Sequence, residues 1–294
     1  MTEPTLAAIA LPGGGLAMVA MDQRESLATM VCQATGKRPE HQQLVDFKLA
    51  VAGALGPLAS GFLIDAYHRP DAVAASLPPT CGLILAADAL TQEEGGPVIE
   101  TDLDESVLAE GADLFGAAAL KLLVIWRRDG QREARVRLAA SFIAAARALG
   151  VLSVLEPVVR PTDGEWATGS WDQDAAIREA ARELSALHPS LTKVQVPLGG
   201  KGSPGEQFEA SKALDAVIAT PWVVLSQGVD PADYILAVEA ACKAGASGFL
   251  AGRALWSDVV GRPDTLVGLN QTSVPRLERL VEIVDRHGRP WEQR

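Results

Sequence analysis

A single (β/α)8 barrel is the fold class that this sequence predicts, on three observations. Eight short apolar runs of strand character recur along the chain, and longer amphipathic stretches separate them. Eight such units fit the roughly 250 residues typical of a barrel. No Pro/Gly/Ser-rich linker divides the 294 residues, so one domain over 1–294 is expected. The rival α/β architecture, a doubly wound open sheet, usually carries a glycine-rich nucleotide turn after its first strand. The turn here is MDQRES, without glycine.

In chain order the strands are read at GLAMVAMD (15–22), GFLIDA (61–66), CGLILAAD (81–88), ALKLLVIW (119–126), LSVLEPVV (152–159), LTKVQVP (191–197), PWVVLSQG (221–228) and GASGFLAGR (245–253). Between them, REARVRLAASFIAAARALG, DQDAAIREAARELSAL, GEQFEASKALDAVIA and PADYILAVEAACKAG place apolar residues every three or four positions, as helices covering a sheet require. The polar stretch TDGEWATGSWDQD (162–174) reads as a long loop, and the chain from Gln271 as a closing helix with a frayed tail.

A net charge of −11 argues against general binding to nucleic acid or an anionic membrane, so any anionic ligand must meet locally placed cations. Cys32, Cys81 and Cys242 are far apart and lack metal-ligand spacing, which predicts free thiols in a reducing cytoplasm. The four histidines, His41, His68, His188 and His287, are scattered, and no metal centre is expected from them. Neither a basic leader nor an uncharged apolar run of membrane-spanning length is read, so no secretion and no membrane partner are expected.

Chemistry in a barrel belongs at the C-terminal ends of the strands. There the sequence offers Asp22, Gln23, Asp65, Asp88, Glu156, Lys193, Gln195, Ser226, Gly228, Gly252 and Arg253, with Lys121 early on the fourth strand. Alternation puts Lys193 and Gln195 on one face and Val194 and Val196 on the other. The valines suit the helix layer, so Lys193 points inward. Enclosure favours the neutral amine that attacks a carbonyl, with Lys121 pressing the same way by repulsion and Glu156 moving protons. A structural ion pair of Lys193 with Glu156 or Asp22 fits the same spacing, and Lys121 alone reads as structural. Asp22, Asp65 and Asp88 fit helix caps as well, Asp88 above all, and the carboxylates together also resemble an oxygen-ligand metal site that an adjacent lysine disfavours.

SQGVD and AGRALW, after the last two strands, supply glycines, a hydroxyl and Arg253 where barrels bind phosphate; turn glycines and a surface arginine are the plain alternative. GGKG at 199–202 lacks phosphate-loop spacing.

The stretches MDQRE, FLIDAYH, ALKLLVIWR, LEPVVRP, TKVQVPLGGKG, PWVVLSQGVD and GASGFLAGRALW resemble the class I aldolases that include sulfofructosephosphate aldolase and tagatose-bisphosphate aldolase. LEPVVRP, SGFLAGRALWS and LVEIVDR resemble the sulfofructosephosphate branch more closely, while AYH departs from its pattern. The resemblance implies Lys193 as the imine-forming lysine, Lys121 as a second active-site lysine, Glu156 as acid/base, and Asp22 beside them. It implies that Gln23, Asp65, Ser226, Gly228, Gly252 and Arg253 contact substrate. It further implies no metal or other cofactor, a dimer or tetramer, and cleavage of 6-deoxy-6-sulfofructose 1-phosphate in sulfoquinovose breakdown. Arg160 and Lys201 are the nearest cations for a distal sulfonate. A tagatose or fructose 1,6-bisphosphate aldolase and a phosphosugar-binding barrel without lyase activity are the competing readings.

Overall fold

Eight parallel strands close on themselves in the order β1-β2-β3-β6-β7-β8-β9-β10, with β10 returning to β1. The computed structural model describes residues 4–92 and 95–294, so the first three residues of the N-terminal segment read above lie outside it. The barrel strands are β1 (Leu16–Met21), β2 (Gly61–Ile64), β3 (Gly82–Ala86), β6 (Ala119–Trp126), β7 (Leu152–Val159), β8 (Leu191–Gln195), β9 (Trp222–Leu225) and β10 (Gly248–Ala251). Each lies within a run predicted from sequence. The helix layer comprises α1 (Glu25–Thr35), α2 (His41–Leu55), α3 (Pro70–Ser76), α4 (Glu105–Leu108), α5 (Arg132–Ala148), α6 (Asp163–Thr168), α7 (Gln173–Ser185), α8 (Pro204–Asp215), α9 (Pro231–Ala244), α10 (Arg253–Trp256), α11 (Thr265–Gly268) and α12 (Val274–His287).

The alternation of side chains along each strand separates two apolar layers. Leu16, Met18, Leu63, Ile84, Ala119, Val154, Leu191, Val223 and Leu250 fill the inside of the barrel. Their neighbours Ala17, Val19, Phe62, Leu83, Leu120, Leu155, Val194, Val224 and Phe249 pack outward against the helices. Lys121 shares the parity of Ala119, Glu156 that of Val154, and Lys193 that of Leu191, so all three enter the interior. The seam is tight: at Gly248, with φ of 147°, a Cβ would lie 1.9 Å from the Leu16 carbonyl oxygen, so only glycine lets β10 close on β1.

Three elements differ from the sequence reading. An antiparallel hairpin, β4 (Asp88–Gln92) and β5 (Val98–Leu103), is inserted between the barrel strands β3 and β6. The stretch 162–174 is not all loop, because Thr162 caps α6 in a reciprocal capping box with Glu165. The C-terminal tail is docked rather than frayed: Arg289 and Arg294 pair with Asp215, and the Trp291 N–H donates to the Gly14 carbonyl at 3.1 Å.

Candidate active site

At the C-terminal end of the barrel lies a cavity of about 230 Å³, lined by Asp22, Gln23, Lys121, Glu156, Arg160, Lys193, Ser226, Gly252 and Arg253, among others. β8 carries Lys193 into it and β7 carries Glu156, and the Lys193 ammonium donates to Glu156 Oε2 at 2.9 Å. The same oxygen lies 3.2 Å from the Lys121 ammonium. Lys121 donates also to Asp22 at 2.7 Å and to Asp88 at 2.8 Å.

An ammonium therefore occupies the centre of the three carboxylates, the position that a metal ion would need. Burial disfavours the charge on Lys121, but Asp22, Asp88 and Glu156 outweigh it and hold its pKa well above the ordinary lysine value. Burial likewise opposes ionisation of Asp22, and Lys121, Lys193 and Arg24 together still hold that carboxyl well below the usual range. Lys121 is thus a fixed cation beside Glu156 and Lys193.

Asp88 is not a helix cap. It is buried and accepts from Lys121, from the Leu123 N–H at 3.2 Å and from Arg24 at 2.9 Å, so the barrel holds it through β6. Asp65 does not reach the cavity. Its carboxylate accepts from the Tyr67 N–H at 2.9 Å, meets His68 Nδ1 at 2.7 Å and pairs with Lys48. Lys201 is corrected as well: it is exposed and pairs with Asp233. A flexible loop lysine finds a nearby surface carboxylate, and nothing in the GGKG turn directs it inward.

The other named residues converge. Gln23 packs its amide against Gly252, where a Cβ would lie 2.9 Å from Gln23 Nε2. The Arg253 guanidinium lies against Gly228, whose φ of 79° suits glycine. Ser226 is buried and lines the cavity beside them. Neither Arg253 nor Arg160 has a carboxylate partner among the described residues. Burial pushes the pKa of Arg160 down, and so do the guanidinium groups of Arg127 and Arg253. The buried Arg160 Nε and Gln23 Oε1 also lack a hydrogen-bond partner among the described residues. The guanidinium groups of Arg160 and Arg253 favour an anionic ligand, while the Gln23 Oε1 acceptor suits a ligand hydroxyl that can donate.

Sequence reasoning missed the outer wall. Leu90, Gln92, Gly96, Pro97 and Val98 of the hairpin line the cavity, and Gly95-Gly96-Pro97 with the alternating VIETDL was the available signal. Gln227, inside the SQGVD turn read from the sequence, accepts from Gln195 Nε2 while Gln195 Oε1 accepts from the Val159 N–H at 2.6 Å.

Compared with known proteins, residues 16–258 match the profile described as DeoC/LacD family aldolase. The chain belongs to the DeoC/LacD family of aldolases. Among similar proteins, one from Listeria monocytogenes named tagatose 1,6-diphosphate aldolase is 27% identical over 83% of this chain and 78% of its own length. One from Streptococcus agalactiae, named tagatose 1,6-diphosphate aldolase 2, is 25% identical over 96% and 94%. A solved fructose-bisphosphate aldolase from Plasmodium falciparum superposes with a TM-score of 0.70 over 96% of this chain and 93% of that one, at 12% identity, which shows the shared barrel fold. Among the described residues no helix is long and apolar enough to cross a membrane.

Proposed function

We propose that this aldolase works through an imine on Lys193, and that its substrate is 6-deoxy-6-sulfofructose 1-phosphate, cleaved to dihydroxyacetone phosphate and 3-sulfolactaldehyde in sulfoquinovose breakdown. The observation that carries the chemistry is the single Glu156 oxygen shared between Lys193 at 2.9 Å and Lys121 at 3.2 Å. A proton on Glu156 leaves to a departing hydroxyl, and the fixed Lys121 charge favours the carboxylate that results.

In this scheme neutral Lys193 adds to the C2 ketone, and the carbinolamine loses water with Glu156 as acid. The iminium accepts the electron pair of the C3–C4 bond as a base removes the C4 hydroxyl proton, and an aldehyde departs. The enamine then takes a proton at C3, and water hydrolyses the resulting iminium, which releases dihydroxyacetone phosphate and regenerates Lys193. Ser226, Gly228, Gly252 and Arg253 hold the phosphate. Arg160, unpaired and half-buried, receives the distal anion.

The sulfonate reading is supported by the stretches LEPVVRP, SGFLAGRALWS and LVEIVDR. The names of the relatives favour a second reading, tagatose 1,6-bisphosphate as substrate. Release of dihydroxyacetone phosphate from the sulfonated ketose, beside tagatose and fructose 1,6-bisphosphates, separates them. A kcat/KM preference for the sulfonated sugar is expected, and a preference for a bisphosphate would overturn the substrate assignment.

A further inference from the structure

Lys48 is completely buried, in the middle of α2 and away from the cavity lining. Its helix otherwise buries Leu44, Val45, Phe47, Val51, Ala52 and Leu55, so an apolar residue is what the packing pattern calls for. The ammonium has three N–H donors, and three acceptors meet them: the Met21 carbonyl at 2.9 Å, the Gln23 carbonyl at 2.8 Å and the Asp65 carboxylate.

The two carbonyls flank Asp22. The carbonyl of Ala20 is held separately, by the Trp256 Nε1–H at 3.0 Å. Asp65 is itself fixed by the Tyr67 N–H and His68, and the His68 ring stacks on His41 with centroids 4.9 Å apart. The carbonyls of Ala20, Met21 and Gln23 are thus gripped from the helix side. The Asp22 carboxylate is left facing Lys121, and the Gln23 amide lies against Gly252. A buried ion pair contributes little net stability compared with apolar residues of similar volume, so fold stability alone does not account for this arrangement.

We propose that Lys48 and Asp65 are a positioning pair that fixes the Asp22–Gln23 corner for catalysis from outside the cavity. The proposal rests on the aldolase reading above and gives Asp65 a role that does not touch substrate. It separates positioning from stability, because the two respond differently when both charges are removed.

The test compares Lys48→Met, Lys48→Gln and the double variant Lys48→Met/Asp65→Leu with the wild-type enzyme. Thermal unfolding, kcat and KM for the preferred ketose phosphate, and amide hydrogen exchange across residues 21–24 are measured. Lys48→Met leaves Asp65 without its ammonium and should lower Tm. The double variant removes both buried charges and should recover part of that loss, although the Tyr67 N–H and His68 lose their Asp65 partner. Its kcat should stay down by about a hundredfold with KM little changed, the effect of a misplaced catalytic group. Exchange across 21–24 should be faster than in the wild type. Lys48→Gln, whose amide still donates to a carbonyl, should fall between wild type and Lys48→Met in kcat, and it serves if the double variant does not fold. Recovery of kcat together with Tm in the double variant, or exchange across 21–24 unchanged in any folded variant, would overturn the proposal. Should the wild-type chain cleave none of the ketose phosphates, the aldolase chemistry fails, while the exchange data still report whether Lys48 holds the corner.

Discussion

Lys193 and Lys121 meet at one oxygen: Glu156 Oε2 stands 2.9 Å from the first ammonium and 3.2 Å from the second. The two lysines are not equivalent around it. Lys121 has two further carboxylates, Asp22 and Asp88, whereas among the described residues Lys193 pairs with Glu156 alone. In the proposed scheme Lys193 is the nucleophile and Lys121 the fixed cation beside it.

Replacement of Lys193 by methionine therefore tests chemistry without breaking the site. Glu156 keeps its contact with Lys121, so no buried carboxylate is stranded. Turnover should vanish while Tm stays close to the wild-type value in a thermal melt. Retained turnover would remove Lys193 from the mechanism.

Asp88 anchors Lys121, Arg24 and the start of the hairpin at once. Asp88→Ala leaves the Lys121 charge with one fewer carboxylate in a buried setting, and a loss of about 3 kcal/mol is expected in urea unfolding. A variant as stable as the wild type would show that the ion-pair network is dispensable.

Asp22 gives the acid side of the stability profile its sign. Its folded pKa lies well below the ordinary value of 3.8, against burial, because of Lys121, Lys193 and Arg24. Its contribution is complete above the unfolded value and is lost as pH falls through the folded one. Wild-type stability should thus decline below about pH 4, and Asp22→Asn should decline less steeply over that range. Equal slopes in urea titrations of the two proteins would contradict the ion-pair account.

The cysteines divide by burial. Cys81 and Cys242 are buried, which pushes each thiol up to about 12, while Cys32 is partly exposed. A chromogenic disulfide reagent at pH 8 (about half a unit below a free thiol) should find Cys32 alone in the native protein and all three after denaturation. Rapid reaction of Cys81 or Cys242 in the folded state would refute the packing around them.

Arg160 and Arg253 differ in what they are expected to hold. Arg160→Met should raise KM about tenfold for a substrate with a distal anion, with a smaller effect on kcat. Arg253→Met should weaken every ketose 1-phosphate. An unchanged KM in Arg160→Met, measured by steady-state kinetics, would take it out of the distal site.

The barrel was legible because period-two and period-3.6 patterns are written in local sequence. GFLIDA and PWVVLSQG announce strands without reference to anything distant, and the valines beside Lys193 gave its direction. The partners of Asp88 and Asp65 were not legible in this way. Asp88 at a strand end resembles a cap, and only closure of the barrel brings Lys121 and Arg24 to it across 33 and 64 residues. The hairpin escaped notice because a two-stranded insertion interrupts the regular βα order. Lys201 misled because its loop composition says nothing about Asp233, which lies 32 residues later. Lys48 had a local signal, a lysine on the apolar face of a helix, but its acceptor, the Gln23 carbonyl, lies 25 residues away.

The most direct measurement is borohydride reduction of the protein in the presence of dihydroxyacetone phosphate, followed by mass spectrometry of the digested chain. The account predicts one reduced covalent adduct, on the peptide that contains Lys193, and none in Lys193→Met. An adduct on Lys121, or no adduct at all, would contradict it.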